Sequence, residues 1–97
     1  MIIGARDSVT DGNQIPRLRK AGIQIRYCLT PSSQGYMHNK FAIVDQGFVM
    51  TGSLNWTRSA FYNNHENVIV TSEPDIVKDY TKYFQEMWSK STNESKI

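Results

Sequence analysis

Apolar and polar positions change period several times along the chain, and each change marks an element. Ile15, Leu18 and Ala21 fall at helical spacing within residues 13–21. Asp11 or Asn13 supplies a start signal, Pro16 is tolerated in the first turn and Gly22 is a stop, so a short helix is expected. Ile23, Ile25 and Tyr27 then alternate with Gln24, Arg26 and Cys28, the period of a strand with one buried face. Residues 31–35, Pro-Ser-Ser-Gln-Gly, read as a loop. Residues 36–44 follow as a strand whose apolar run Phe41, Ala42, Ile43 and Val44 suggests cover on both faces. Asp45, Gln46 and Gly47 make a turn, and residues 48–51 return as a strand.

The second half is similar. Residues 52–55 interrupt the pattern, 56–62 suit a short helix, and 67–71 form a further β-branched strand. Ser72 with Asp75 resembles a capping box with Asp in place of Glu. Ile76, Val77, Tyr80, Tyr83, Phe84, Met87 and Trp88 then share one helical face, expected to be core. Strands interleaved with helices indicate an α/β fold, a mixed or mostly parallel sheet flanked by helices. Met1, Ile2 and Ile3 read as the end of a strand, so the N-terminal strands of a longer fold are expected to be missing here.

The length of 97 residues sets one domain, with 89–97 a flexible polar tail. At 39% hydrophobic and 21% charged, the chain is neither disordered nor fibrous in composition. Its net charge of +2 is too small to identify a polyanion binder, although residues 1–48 carry the excess of cations. The lone Cys28 excludes an internal disulfide and reads as a small buried hydrophobe. No apolar run is long enough to span a bilayer and no signal peptide is evident, which reads as a soluble, intracellular chain. The Asn55-Trp56-Thr57 and Asn93-Glu94-Ser95 sequons mean little in that setting.

His38, Lys40 and Asp45 form H-x-K-x4-D on the expected strand and turn. On a strand His38 and Lys40 would project from the same face, a nucleophile beside a cation. Ser53 and Asn55 are again two apart after the hairpin, and Glu66 precedes the next strand, where a carboxylate could orient an imidazole. Each piece alone is common; their order together is specific. A metal site built from His38, His65, Asp45 and Glu66 is a poor alternative. It lacks zinc-ligand spacing, and Lys40 would repel a dication.

Residues 36–45, YMHNKFAIVD, with 51–57, TGSLNWT, and 66–68, ENV, resemble the signature of the phospholipase D superfamily of HKD phosphodiesterases. Residues 18–26, LRKAGIQIR, are similar to its mitochondrial cardiolipin hydrolase, or Zucchini-like, branch and to small bacterial Nuc-type endonucleases. The likeness runs from about residue 14 to residue 88.

The resemblance implies a phospholipase D-like fold and hydrolysis of phosphodiesters without a cofactor or metal, through a phosphohistidine. By the same resemblance His38 is the nucleophile, Lys40, Ser53 and Asn55 bind the substrate phosphate, Glu66 orients the histidine, and Asp45 is a structural member of the motif. The chain has one H-x-K, and His65 has no lysine two residues later, so the second histidine is expected from an identical subunit in a homodimer with a composite active site. The substrate stays open between cardiolipin or another phospholipid and single-stranded RNA or DNA. Mitochondrial outer-membrane association would follow from the branch. A different class also stays open: an inactive partial chain that binds phosphate or dimerises with an intact homologue.

Overall fold

The computed structural model describes residues 1–4, 14–28, 30, 35 and 37–93. The expected loop at 31–34, the start signals at Asp11 and Asn13, and the strand positions Leu29 and Tyr36 lie outside the described residues, as does 94–97. The elements run β1 (Ile2–Gly4), α1 (Ile15–Lys20), β2 (Arg26–Cys28), β3 (Phe41–Val44), β4 (Phe48–Gly52), α2 (Arg58–Asn63), β5 (Val68–Thr71) and α3 (Pro74–Lys90). They fall into two compact units, residues 1–38 with 85–97, and residues 39–84.

In the first unit β1 and β2 pair in parallel, Ile3 opposite Tyr27. Ile15, Ile25 and Tyr27 form the buried cluster, with Ile3 and Leu18 packed against it, whereas Ala21 and Ile23, which share the expected spacing, are exposed, and the strand expected from Ile23 begins only at Arg26. Helix α1 ends as its sequence requires. Gly22 takes φ 89°, the left-handed conformation that avoids a Cβ clash. The Gly22 and Ile23 amides then donate to the Arg19 and Leu18 carbonyls at 3.0 and 3.1 Å, a Schellman closure. Cys28 is half-buried rather than fully enclosed, and it is not in a disulfide.

The polar stretch from Ser89 is used differently from the expected tail. Ser89 and Lys90 complete α3, Ser91 is buried, and Thr92 exchanges backbone hydrogen bonds with Tyr27 at 2.7 and 2.9 Å. Backbone pairing is indifferent to side-chain polarity, which is why composition misses it.

In the second unit β3, β4 and β5 form an antiparallel meander in that order. With the parallel β1–β2 pair, the chain is mixed α/β rather than mostly parallel. Val49 on the central strand is fully buried, and Ala60 of α2 and Val77 of α3 are also buried. The β3–β4 hairpin turns through Asp45 and Gln46, both at positive φ (52° and 56°), with the Gly47 amide donating to the Val44 carbonyl at 3.0 Å. Positive φ at both central residues matches the right-handed twist of the flanking strands.

Two local expectations fail here. The apolar run of β3 is not covered throughout: Phe41, Ala42 and Ile43 are half-buried, while Val44, next to the hairpin turn, is half exposed. The Ser72–Asp75 capping box does not form, because Pro74 opens α3 and the Glu73 amide is satisfied instead by the Thr71 hydroxyl at 3.1 Å. Of the apolar stripe on α3, only Val77 is buried, while Ile76 and Tyr83 stay exposed.

Candidate active site

An antiparallel meander brings the start of its first strand, the end of its second and the start of its third to one end. Phe41 of β3 is opposite Thr51, and Gly52, the last residue of β4, is opposite Val68, the first of β5. Lys40, Ser53 and Asn67 therefore flank the same end of the sheet. The Thr51 hydroxyl donates to the Lys40 carbonyl at 3.4 Å, tying the approach to β3 against β4.

Ser53 and Asn67 are locked reciprocally. The Ser53 amide donates to the Asn67 carbonyl at 2.9 Å, and the Asn67 amide donates to Ser53 Oγ at 3.0 Å. Accepting that bond leaves the Ser53 hydroxyl proton and one lone pair for a ligand. Gly52 permits this closeness. A Cβ there would overlap the Asn67 carbonyl oxygen and stand 2.8 Å from both Asn67 C and Val68 Cα. Neither Asn67 nor Gly52 stands out as a site residue in the sequence. The signal for both is the small residue that a close backbone approach requires.

Asn55 follows, exposed, and Glu66, half-buried, immediately precedes Asn67. Asn39 donates from its amide to the Tyr83 hydroxyl at 3.0 Å. Phe41 meets Tyr80 edge to face at 5.0 Å and stacks near Tyr83 at 6.2 Å. The exposed side of α3 thus steadies the segment that carries Lys40, a role its periodicity alone would assign to core.

His38 is exposed, two residues ahead of Lys40, and is the last residue of the first unit's N-terminal stretch. The pair does not lie on a strand as expected. The β3 ladder starts at Phe41, so strand alternation does not set the relative direction of His38 and Lys40. Asp45 is at the far end of β3 from Lys40, with the whole four-residue strand, about 13 Å of extended chain, between them. That position puts Asp45 in the hairpin turn. His65 is exposed on the approach to β5. Among the described residues, no three His, Cys, Asp or Glu side chains gather as a metal-ligand group. No helix among them is long and apolar enough to cross a membrane.

The family model for "Cardiolipin synthase, PLD-like domain" matches residues 5–88. The mitochondrial cardiolipin hydrolase of Xenopus laevis is 51% identical over 77 residues, 79% of this chain and 35% of that protein. The human protein of the same name is 50% identical over 78 residues, 80% of this chain and 30% of its own length. The chain thus spans about a third of the length of these relatives. Among solved structures, a phospholipase D family member, Nuc from Salmonella typhimurium, superimposes with a TM-score of 0.81 at 26% identity, covering 98% of this chain and 62% of that one. NucT from Helicobacter pylori gives 0.75 at 27% identity, with 86% and 56% covered. Motif, fold and sequence agree, and the chain belongs to the PLD-like domain family.

Proposed function

We propose that this chain carries the catalytic half-site of a metal-independent phosphodiesterase that works as a homodimer through a phosphohistidine. The observation that supports the reading most is the strand register that gathers Lys40, Ser53 and Asn67 at one sheet end, with His38 two residues before the lysine. An imidazole can serve as a nucleophile in its neutral form and as a general acid in its charged form, so one residue type fills both roles in two copies.

In the first step, the imidazole nitrogen of His38 attacks phosphorus. The P–O bond to the leaving group breaks, and His38 of a second copy protonates the departing oxygen. That second imidazole, now neutral, takes a proton from water. The hydroxide attacks phosphorus, breaks the P–N bond and restores both histidines. Lys40 and Asn55 hold the non-bridging oxygens where charge accumulates, Ser53 supports that site, and Glu66 orients the imidazole. These 97 residues contain one H-x-K, and on this reading a second copy supplies the other histidine.

Cardiolipin is the first substrate to test, because the relatives from Xenopus laevis and human are named mitochondrial cardiolipin hydrolase. The same names make mitochondrial association the expected location. Single-stranded RNA and DNA are the alternatives, since they present the same phosphodiester to the same residues. The test incubates the protein in excess chelator with cardiolipin vesicles, labelled single-stranded RNA and labelled single-stranded DNA, beside His38→Ala. Release of phosphatidic acid from cardiolipin by the wild type alone is expected. Activity that disappears in chelator and returns with a dication would contradict the mechanism. A folded protein that turns over none of the three would instead support the inactive partial chain.

A further inference from the structure

The cationic excess of the chain is concentrated away from the H-x-K motif. Residues 14–28 hold Arg17, Arg19, Lys20 and Arg26 with no acidic residue. Two of these guanidiniums line one cleft of about 370 Å³ in the first unit, together with Gln24, Ile25, Trp88 and Asn93. Both are held by neutral groups. Arg19 donates to the Tyr27 hydroxyl at 3.4 Å, with its guanidinium 5.8 Å from the Tyr27 ring centre. Arg26 donates from an η nitrogen to the Ser91 carbonyl at 2.6 Å and lies 5.0 Å from the Trp88 ring centre. Its Nε is buried without a hydrogen-bond partner.

A carbonyl, a hydroxyl and two aromatic faces orient a guanidinium while leaving its charge intact. No carboxylate neutralises either arginine among the described residues. An anion entering the cleft would meet both guanidinium charges. Guanidinium forks match the oxygens of a phosphate, Gln24 and Asn93 line the same cleft, and the indole offers an apolar wall to the rest of an ester.

We infer that the cleft between Arg19, Arg26 and Trp88 is a phosphate-binding site separate from the H-x-K motif, taking a phosphate group carried by a phosphodiester or monoester. A free phosphate, a polynucleotide strand and a lipid headgroup share that chemistry.

The test uses the full chain with Trp56→Phe, so that Trp88 is its one indole. Inorganic phosphate is titrated at constant ionic strength while Trp88 emission is followed. A saturable change is expected, weakened about tenfold or more by Arg19→Gln and by Arg26→Lys, which keeps the charge and loses the fork. Arg17→Gln removes the same charge outside the cleft and should change affinity by less than about twofold. Because Arg19 is exposed, its variant keeps the test open even if Arg26→Lys perturbs folding. Repeating the titration with a short single-stranded oligonucleotide and with phosphatidylcholine vesicles containing phosphatidic acid identifies the source. Tighter, Arg26-dependent binding in either arm supports the site and names its ligand. No saturable response from folded protein, or equal losses for Arg17→Gln and Arg19→Gln, would overturn it. None of these readouts depends on phosphodiesterase activity.

Discussion

Replacing His38 with alanine is expected to lower turnover by more than about 10⁴-fold while the far-ultraviolet circular dichroism stays unchanged. The size of the effect follows from the proposed symmetry. One substitution deletes the nucleophile from one subunit and the proton carrier from the other. Its exposed position on the segment before β3 makes His38 inexpensive to remove for the fold. Lys40→Ala removes charge stabilisation and leaves both imidazoles, so a smaller loss of about 10²–10³-fold is expected. Single-turnover rates of phosphate-ester cleavage would check both values. Activity of His38→Ala within about tenfold of wild type would place the nucleophile elsewhere.

Gly52→Ala should have the largest effect of any substitution outside the reacting groups. Its Cβ would meet Asn67 and Val68 main chain rather than a movable side chain, so the β4–β5 pair must open where Ser53 and Asn67 interlock. A destabilisation of about 2–4 kcal/mol is expected, from lost ladder bonds and backbone strain. Activity should fall further than stability alone explains. The comparison is Ser53→Ala, which removes the acceptor for the Asn67 amide and should cost about 1 kcal/mol. Urea midpoints and rates measured on the folded fraction separate the two effects. A Gly52→Ala protein of wild-type stability and activity would mean that the close approach does not matter.

The parts of this fold governed by local chemistry were legible in the sequence. Gly22 stops α1, Asp45 to Gly47 turns the hairpin, and α2 forms close to the expected 56–62, although it starts only at Arg58, after a Thr57 cap that was not among the expected features. What depended on a distant partner was not. The β-like pattern of residues 37–40 could not reveal that the ladder begins only at Phe41, since pairing depends on β4, a distant partner. The exposure of Ile69 and Val70, 62% and 64%, likewise reflects the lack of a described neighbour beyond β5 rather than the composition of the strand. Thr92 pairs with Tyr27 through main chain alone, invisible to any side-chain reading.

The candidate site shows the same division. His38, Lys40, Ser53, Asn55 and Glu66 are candidates that spacing singles out in the sequence, and the family resemblance is what implies a role for each in phosphoryl transfer. The register adds what spacing could not: which of them meet at one sheet end, and that Asp45 sits at the other. The supports, Gly52, Asn67 and the Asn39–Tyr83 bond, act through main chain or through a helix far along the sequence.

The central claim, that two copies of His38 share one reaction, is tested most directly by mixing. Wild-type and His38→Ala chains are combined in known proportions, allowed to exchange subunits fully, and assayed at constant total protein. If the site is composite, only pairs of wild-type subunits work and activity follows the square of the wild-type fraction, about one quarter at an equal mixture. Activity that instead falls in simple proportion to that fraction, about one half at an equal mixture, would show that each chain is catalytically complete and would contradict the account.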